Sequence, residues 1–112
     1  MNVQQLHIRD SVPSEDVQHV ERVLLNAASR FALADNTHTS RVPNTIRSYS
    51  EKLGYGFGLG ARVVRDLIIV DFNRRSEPSP EFPAVVEHIH SELRRVFGDR
   101  VYLSRAAEQI PI

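Results

Sequence analysis

The sequence predicts an α+β fold: one antiparallel or mixed sheet of four to five strands with two helices on one face, ferredoxin-like or a near variant, ordered β-α-β-β(-β)-α-β. Two stretches repeat apolar residues at steps of three and four, the mark of helices buried along one stripe. Between them lies a run dense in β-branched residues, "ARVVRDLIIVDF" (Ala61–Phe72), which favours strands. Short alternating segments, "VQQLHIR" and "RVYLSR", stand before the first stripe and after the second.

In "VQQLHIR" (Val3–Arg9), Leu6 and Ile8 fall on one face and His7 and Arg9 on the other, as in a half-buried strand. "DSVP" breaks it. Ser14 is the expected N-cap of the first helix, with Glu15 and Asp16 where a helix start favours negative charge. Val17, Val20, Leu24, Ala27, Phe31 and Ala34 form its stripe, and Asp35-Asn36 the expected stop. "DNTHTSRVPN" (Asp35–Asn44) reads as a polar connector. "TIRSYSEKL" reads as an edge strand, followed by "GYGFGLGARVV" and "DLIIVDFN", so that Thr45–Asn73 holds two or three strands. Ser79 and Pro80 are placed at N-cap and N1 of the second helix. Phe82, Val86, Ile89, Leu93 and Val96 form its stripe, Arg94 and Arg95 suit its last turn, and Gly98 ends it. "AAEQIPI" reads as a short tail.

With 112 residues, one domain is expected, and it buries about two-thirds of the unfolded chain's surface. The absence of cysteine excludes disulfides, a thiolate nucleophile and cysteine-ligated zinc. It suits a reducing compartment, and a cytoplasmic location is expected. No apolar run approaches the roughly 20 residues of a membrane span, and "MNVQQLHIRD" lacks a signal-peptide pattern. Fourteen basic and 14 acidic residues cancel, which gives no overall cationic surface for sequence-independent nucleic-acid binding.

"GYGFGLG" (Gly54–Gly60) is the most informative stretch. Strand alternation puts Gly54, Gly56, Gly58 and Gly60 on one side, and Tyr55, Phe57, Leu59, Ala61 and Val63 on the other. The apolar set continues into "ARVV" and so faces the core, which leaves a stripe of bare backbone outside. Each interior glycine costs about 0.5–1 kcal/mol in ordering relative to alanine. The stripe suits close approach of a neighbouring segment or of another protein. "GFGLGA" matches G-x-G-x-x-A on paper, but the residues after it favour a strand where a dinucleotide site needs a helix.

"GYGF" (Gly54–Phe57) also resembles the core of the RNP1 motif of the RRM family, and "LHIRD" (Leu6–Asp10) is similar to that family's RNP2 position. The resemblance implies an RNA-binding sheet on which Tyr55 and Phe57 stack bases. This sequence departs from the pattern at Leu53, Gly58 and Gly60, and carries His7 where RNP2 has an aromatic.

Glu81, His88 and Glu92 share a face of the second helix and offer a possible metal or acid–base set. His38 lies in a hydroxyl-rich loop without an identifiable nucleophile or orienting carboxylate. No metal or other cofactor is expected. Arg62, Asp71 and Arg74 add mixed charge beside the glycine stripe, on a sheet face expected to be open to solvent. Gly54, Gly56, Gly58, Gly60, Arg62, Asp71 and Arg74 are therefore the candidate partner-binding residues. The expected function is that of a non-catalytic protein-binding domain, a small bacterial inhibitor or immunity protein that neutralises a toxin. An RRM-like RNA binder and a small enzyme or ligand-binding domain are the alternatives.

Overall fold

The computed structural model describes residues 2–52, 56–74 and 80–112. Among them the chain forms β1 (Asn2–Ile8), α1 (Pro13–Arg30), β2 (Ala34–Asp35), β3 (Thr45–Ser50), β4 (Phe57–Val64), β5 (Leu67–Arg74), α2 (Glu81–Phe97) and β6 (Val101–Leu103). The architecture is α+β, with two helices and one antiparallel sheet ordered β2-β3-β4-β5-β1-β6. The sheet has six strands where four to five were expected. Thr45–Asn73 supplies three of them, and Ala34–Asp35, at the junction of the expected helix and the polar connector, adds the two-residue β2 against Ser50 and Tyr49. Mostly polar on both faces, β3 borders the sheet's longest ladder, that of β4 with β5.

Both helices cover one face. Leu6, Ile8, Phe57, Leu59, Ala61, Ile68, Val70 and Phe72 meet Val20, Leu24 and Ala27 of α1 and Phe82, Ile89 and Leu93 of α2 in one buried cluster. Phe57 is 2% exposed and packs against Phe82, ring centres 5.5 Å apart, as its phase with Leu59 predicts. Tyr55 lies outside the described residues. On α2 the buried stripe runs through Val85 and Phe97, while Val86 is half-buried and Val96 exposed. Both choices keep steps of three and four, so the periodicity could not separate them.

Both ends of α1 differ from the expectation. Pro13 occupies the first helical position, where its missing N–H is harmless, so the helix starts before Ser14. The Val12 N–H instead donates to the Asp16 carboxylate at 2.9 Å. At the other end, Leu33 N–H donates to Ala28 O at 2.9 Å and Ala32 N–H to Ser29 O at 3.4 Å. This pairing is a Schellman motif, with Ala32 in the left-handed region at φ +54° where glycine is usual. The helix therefore stops ahead of Asp35-Asn36, and Ala34 belongs to β2. Pro80 stands immediately before α2, Ser79 lies outside the described residues, and Gly98, at φ +62°, ends the helix as expected.

Candidate functional site

The register of β4 sets the site. Gly58 pairs with Ser50 and Asn73, Gly60 with Ser48 and Asp71, and Arg62 with Thr45 and Ile69. Paired residues share a face, so the glycines, two serines and Asn73 all lie on the side away from the helices. Neither glycine has positive φ. A Cβ at Gly58 would touch the Tyr49 carbonyl at 3.5 Å and no other described heavy atom outside the local chain within 4 Å, and one at Gly60 would touch the Arg47 carbonyl at 3.4 Å and Ser48 at 3.9 Å. What these glycines provide is space above the sheet.

That space is a groove of about 340 Å³. Ser48, Ser50, Asn73 and Asn36 line it around the glycine floor, together with Arg62, Asp71 and the apolar Val42 and Ile112. Asn36 is tied down by its Nδ2, which donates to Ser50 Oγ at 2.6 Å. The wall behind is braced where Ser48 N–H donates to Thr37 Oγ1 at 3.1 Å, and where the Ser40 and Thr45 hydroxyls meet at 2.9 Å.

Beside the groove the face is not open, contrary to expectation. Gln5, His7, Arg62, Ile69 and Asp71 are all buried there. The tail "AAEQIPI" causes this by crossing the sheet. Ser104 N–H donates to Gln5 O at 2.9 Å, a short 3₁₀ turn follows at Ala106–Glu108, and Ile110 then docks by its backbone. Gln5 Nε2 donates to Ile110 O at 2.8 Å, Ile110 N–H donates to Gln5 Oε1 at 3.0 Å, and Arg62 donates to Ile110 O at 2.6 Å.

Arg62 Nε also donates to Asp71 Oδ2 at 2.9 Å, the two side chains being 7% and 5% exposed, and Gln5 Nε2 donates to Asp71 Oδ1 at 2.7 Å. Such a pair is a structural commitment, because each charge depends on the other for its loss of water. His7 completes the network. Its Nε2 lies 3.0 Å from Gln5 Oε1 and its Nδ1 3.3 Å from the Tyr102 hydroxyl. A neutral ring donating to Gln5 and accepting from Tyr102 satisfies every partner. Burial pushes its pKa below the ordinary 6.5; Glu108 and Asp71 oppose the shift and Arg62 reinforces it.

The structure thus gathers Gly58, Gly60, Arg62 and Asp71 at one groove, with the two charges engaged inside the fold. Gly56 precedes β4, and a Cβ there would run into the Glu51 carboxylate. Arg74 pairs with Phe57 at the far end of β5, in phase with Phe72 and so directed to the helix side. Gly54 lies outside the described residues. No protein-family model matches this chain, and no curated protein matches it either.

The other candidates are dispersed. The His88 ring meets Phe31 edge-on at 5.8 Å, Glu92 accepts from Arg95 at 2.6 Å, and Glu81 is engaged as well. Among the described residues no three His, Asp or Glu side chains are grouped to hold a metal. His38 is exposed on the 3₁₀ turn Thr37–Thr39. Sequence reasoning missed Gln5, Asn36, Asn73, Tyr102 and Ile110. One signal was present for the first: Gln5 alternates in phase with His7, opposite the core face.

Proposed function

We propose that this chain is a non-catalytic protein-binding domain whose partner engages the helix-free sheet face at the groove over Gly58 and Gly60. One observation carries the proposal: a preformed recess floored by bare glycine backbone and lined by uncharged amide and hydroxyl groups together with apolar side chains such as Val42 and Ile112, with the Arg62–Asp71 pair at it already internally satisfied. Such a surface offers shape and hydrogen bonds to a partner without arming a nucleophile or a base. The narrower assignment, an inhibitor or immunity protein that neutralises a toxin inside a bacterial cytoplasm, is supported by small size and balanced charge. An RRM-like role would require Phe57 to stack on bases, and Phe57 is packed against Phe82.

We also read β6-β1-β5-β4 as a ferredoxin-like core to which β3 and β2 add an edge. In support, α1 leaves β1 for the far half of the sheet and α2 returns from β5 to β6. The added edge is what walls the groove.

A photo-crosslinking residue at Ser48, compared with one at Leu25 on the helix side, tests the functional proposal in host lysate. The expected result is one protein joined from Ser48 that re-forms a stoichiometric complex from purified components. Crosslinking confined to Leu25, or failure of the purified pair to associate, overturns it.

A further inference from the structure

Resting on that functional proposal, we infer that the groove takes an extended, uncharged segment of the partner polypeptide and holds it by its main chain. The adjoining part of the same face already binds a segment in this way. The backbone at Gln109 is extended, φ −65° and ψ 137°, and Ile110 is gripped through its N–H and C=O alone by the Gln5 amide and the Arg62 guanidinium. None of these bonds reads a side chain.

The groove repeats that chemistry beside the tail. Asn36, Ser48, Ser50 and Asn73 present short amides and hydroxyls, the groups that pair with peptide N–H and C=O. The bare floor at Gly58 and Gly60 lets a backbone approach as closely as a sheet face permits. Charge argues the same way. Arg62 and Asp71 are the charged side chains among the described residues that line the groove, and they neutralise each other. A charged residue entering it would lose water without gaining a free counter-charge, which is costly. The volume of about 340 Å³ lies within the range of preformed recognition pockets.

The test pans a phage-displayed library of random linear heptapeptides on the full chain and measures synthetic copies of the enriched peptides by calorimetry on the full chain and on Gly58→Val. Expected are peptides with uncharged central residues and micromolar affinity that changes little between low and high salt. N-methylation of a central peptide bond should weaken them at least about 10-fold, whereas alanine replacement of central side chains should cost far less. Gly58→Val should also lose about 10-fold or more. If Gly58→Val does not fold, Ser48→Arg, which puts a charge on the wall, replaces it with the same expectation. Enrichment of charged, salt-sensitive peptides, tolerance of N-methylation, or equal binding to the variants overturns the inference. So does a library that yields nothing, or a groove that shifts its Gly60 amide resonance for a monosaccharide or an oligonucleotide instead. The outcomes separate the two claims. Ser48 crosslinking to a protein without peptide binding sinks the inference alone, and peptide binding without any crosslinked protein sinks the functional proposal.

Discussion

Gln5 and Ile110, 105 positions apart, form a two-way backbone clamp: one side-chain amide both donates to and accepts from the same residue's peptide groups. The remaining capacity of that amide goes to Asp71 and His7, so Gln5 joins the tail, the buried ion pair and the histidine in one network. Gln5→Leu keeps the bulk and removes every one of these bonds. Leaving the Asp71 oxygen short of a donor should cost about 1–3 kcal/mol. Hydrogen exchange at the Ile110 amide should accelerate at least about 10-fold, ahead of exchange in β4 and β5. Unchanged protection at Ile110 would show that the clamp is incidental.

The Arg62–Asp71 pair gives a sharper energetic contrast. Arg62→Met strands a buried carboxylate and Asp71→Leu a buried guanidinium, and each should destabilise the fold by about 3–5 kcal/mol. The double variant removes both charges and should recover much of that loss, since replacing a buried pair with apolar groups is often close to neutral. Urea denaturation of the four proteins closes the cycle. Additive losses would mean that the two residues act separately.

Stability should fall on mild acidification. Below pH 6.5 the unfolded chain protonates His7 while the folded chain, with its lowered pKa, resists, so the unfolded state binds more protons. The His7 contribution is complete above 6.5, declines as the pH drops from there, and levels off below the folded value. His7→Gln should flatten this part of a pH series of thermal melts. Asp16 acts at lower pH. Burial pushes its pKa up, but the hydrogen bonds from Arg100 and Val12 N–H, with the charge of Arg100, outweigh this and hold it below 3.8. Its contribution is present above 3.8 and is lost as the pH falls through the folded value.

Ala32 is strained where glycine is the ordinary occupant of a Schellman cap. Ala32→Gly should raise stability by about 0.5–1 kcal/mol, because relief of the left-handed strain exceeds glycine's added chain entropy. A lowered melting temperature would instead mean that the Ala32 methyl contributes packing that outweighs the strain.

Local pattern carried the elements and the phase of β4: Phe57 and Leu59 turned inward and Gly58 and Gly60 outward, as alternation required. It failed at a helix cap that lacks its usual residue, and where the deciding contact was non-local. Nothing near Ala32 in sequence announces a helix stop, because the cap is made by Leu33 and Ala28 backbone groups rather than by a glycine. The site divided along the same line. Arg62 and Asp71 were visible as charges beside the stripe, but their burial depends on Ile110, whose carbonyl arrives from 48 positions beyond Arg62. A strand's polar side reads the same whether it faces water or a returning tail.

Gly58 is the position where fold and binding separate most cleanly. A Cβ there has ordinary van der Waals contact with the Tyr49 carbonyl at 3.5 Å and open groove beyond. Gly58→Val therefore adds a branched residue to a strand at a site with room for it, and strand propensity favours valine over glycine. The melting temperature of the free protein should hold or rise slightly. Binding of the partner should weaken about 10-fold or more, since the methyls fill the recess that the partner enters. Gly60→Val probes the neighbouring floor position: its Cβ meets the Arg47 carbonyl at 3.4 Å, the near edge of ordinary contact, so it should cost the free protein less than the roughly 1–3 kcal/mol of an overpacked core, while binding falls as for Gly58→Val. Thermal melts beside binding titrations distinguish the cases. If Gly58→Val destabilises the free protein by about 1–3 kcal/mol, the glycines serve the fold. If it stays stable and binds normally, the partner docks elsewhere.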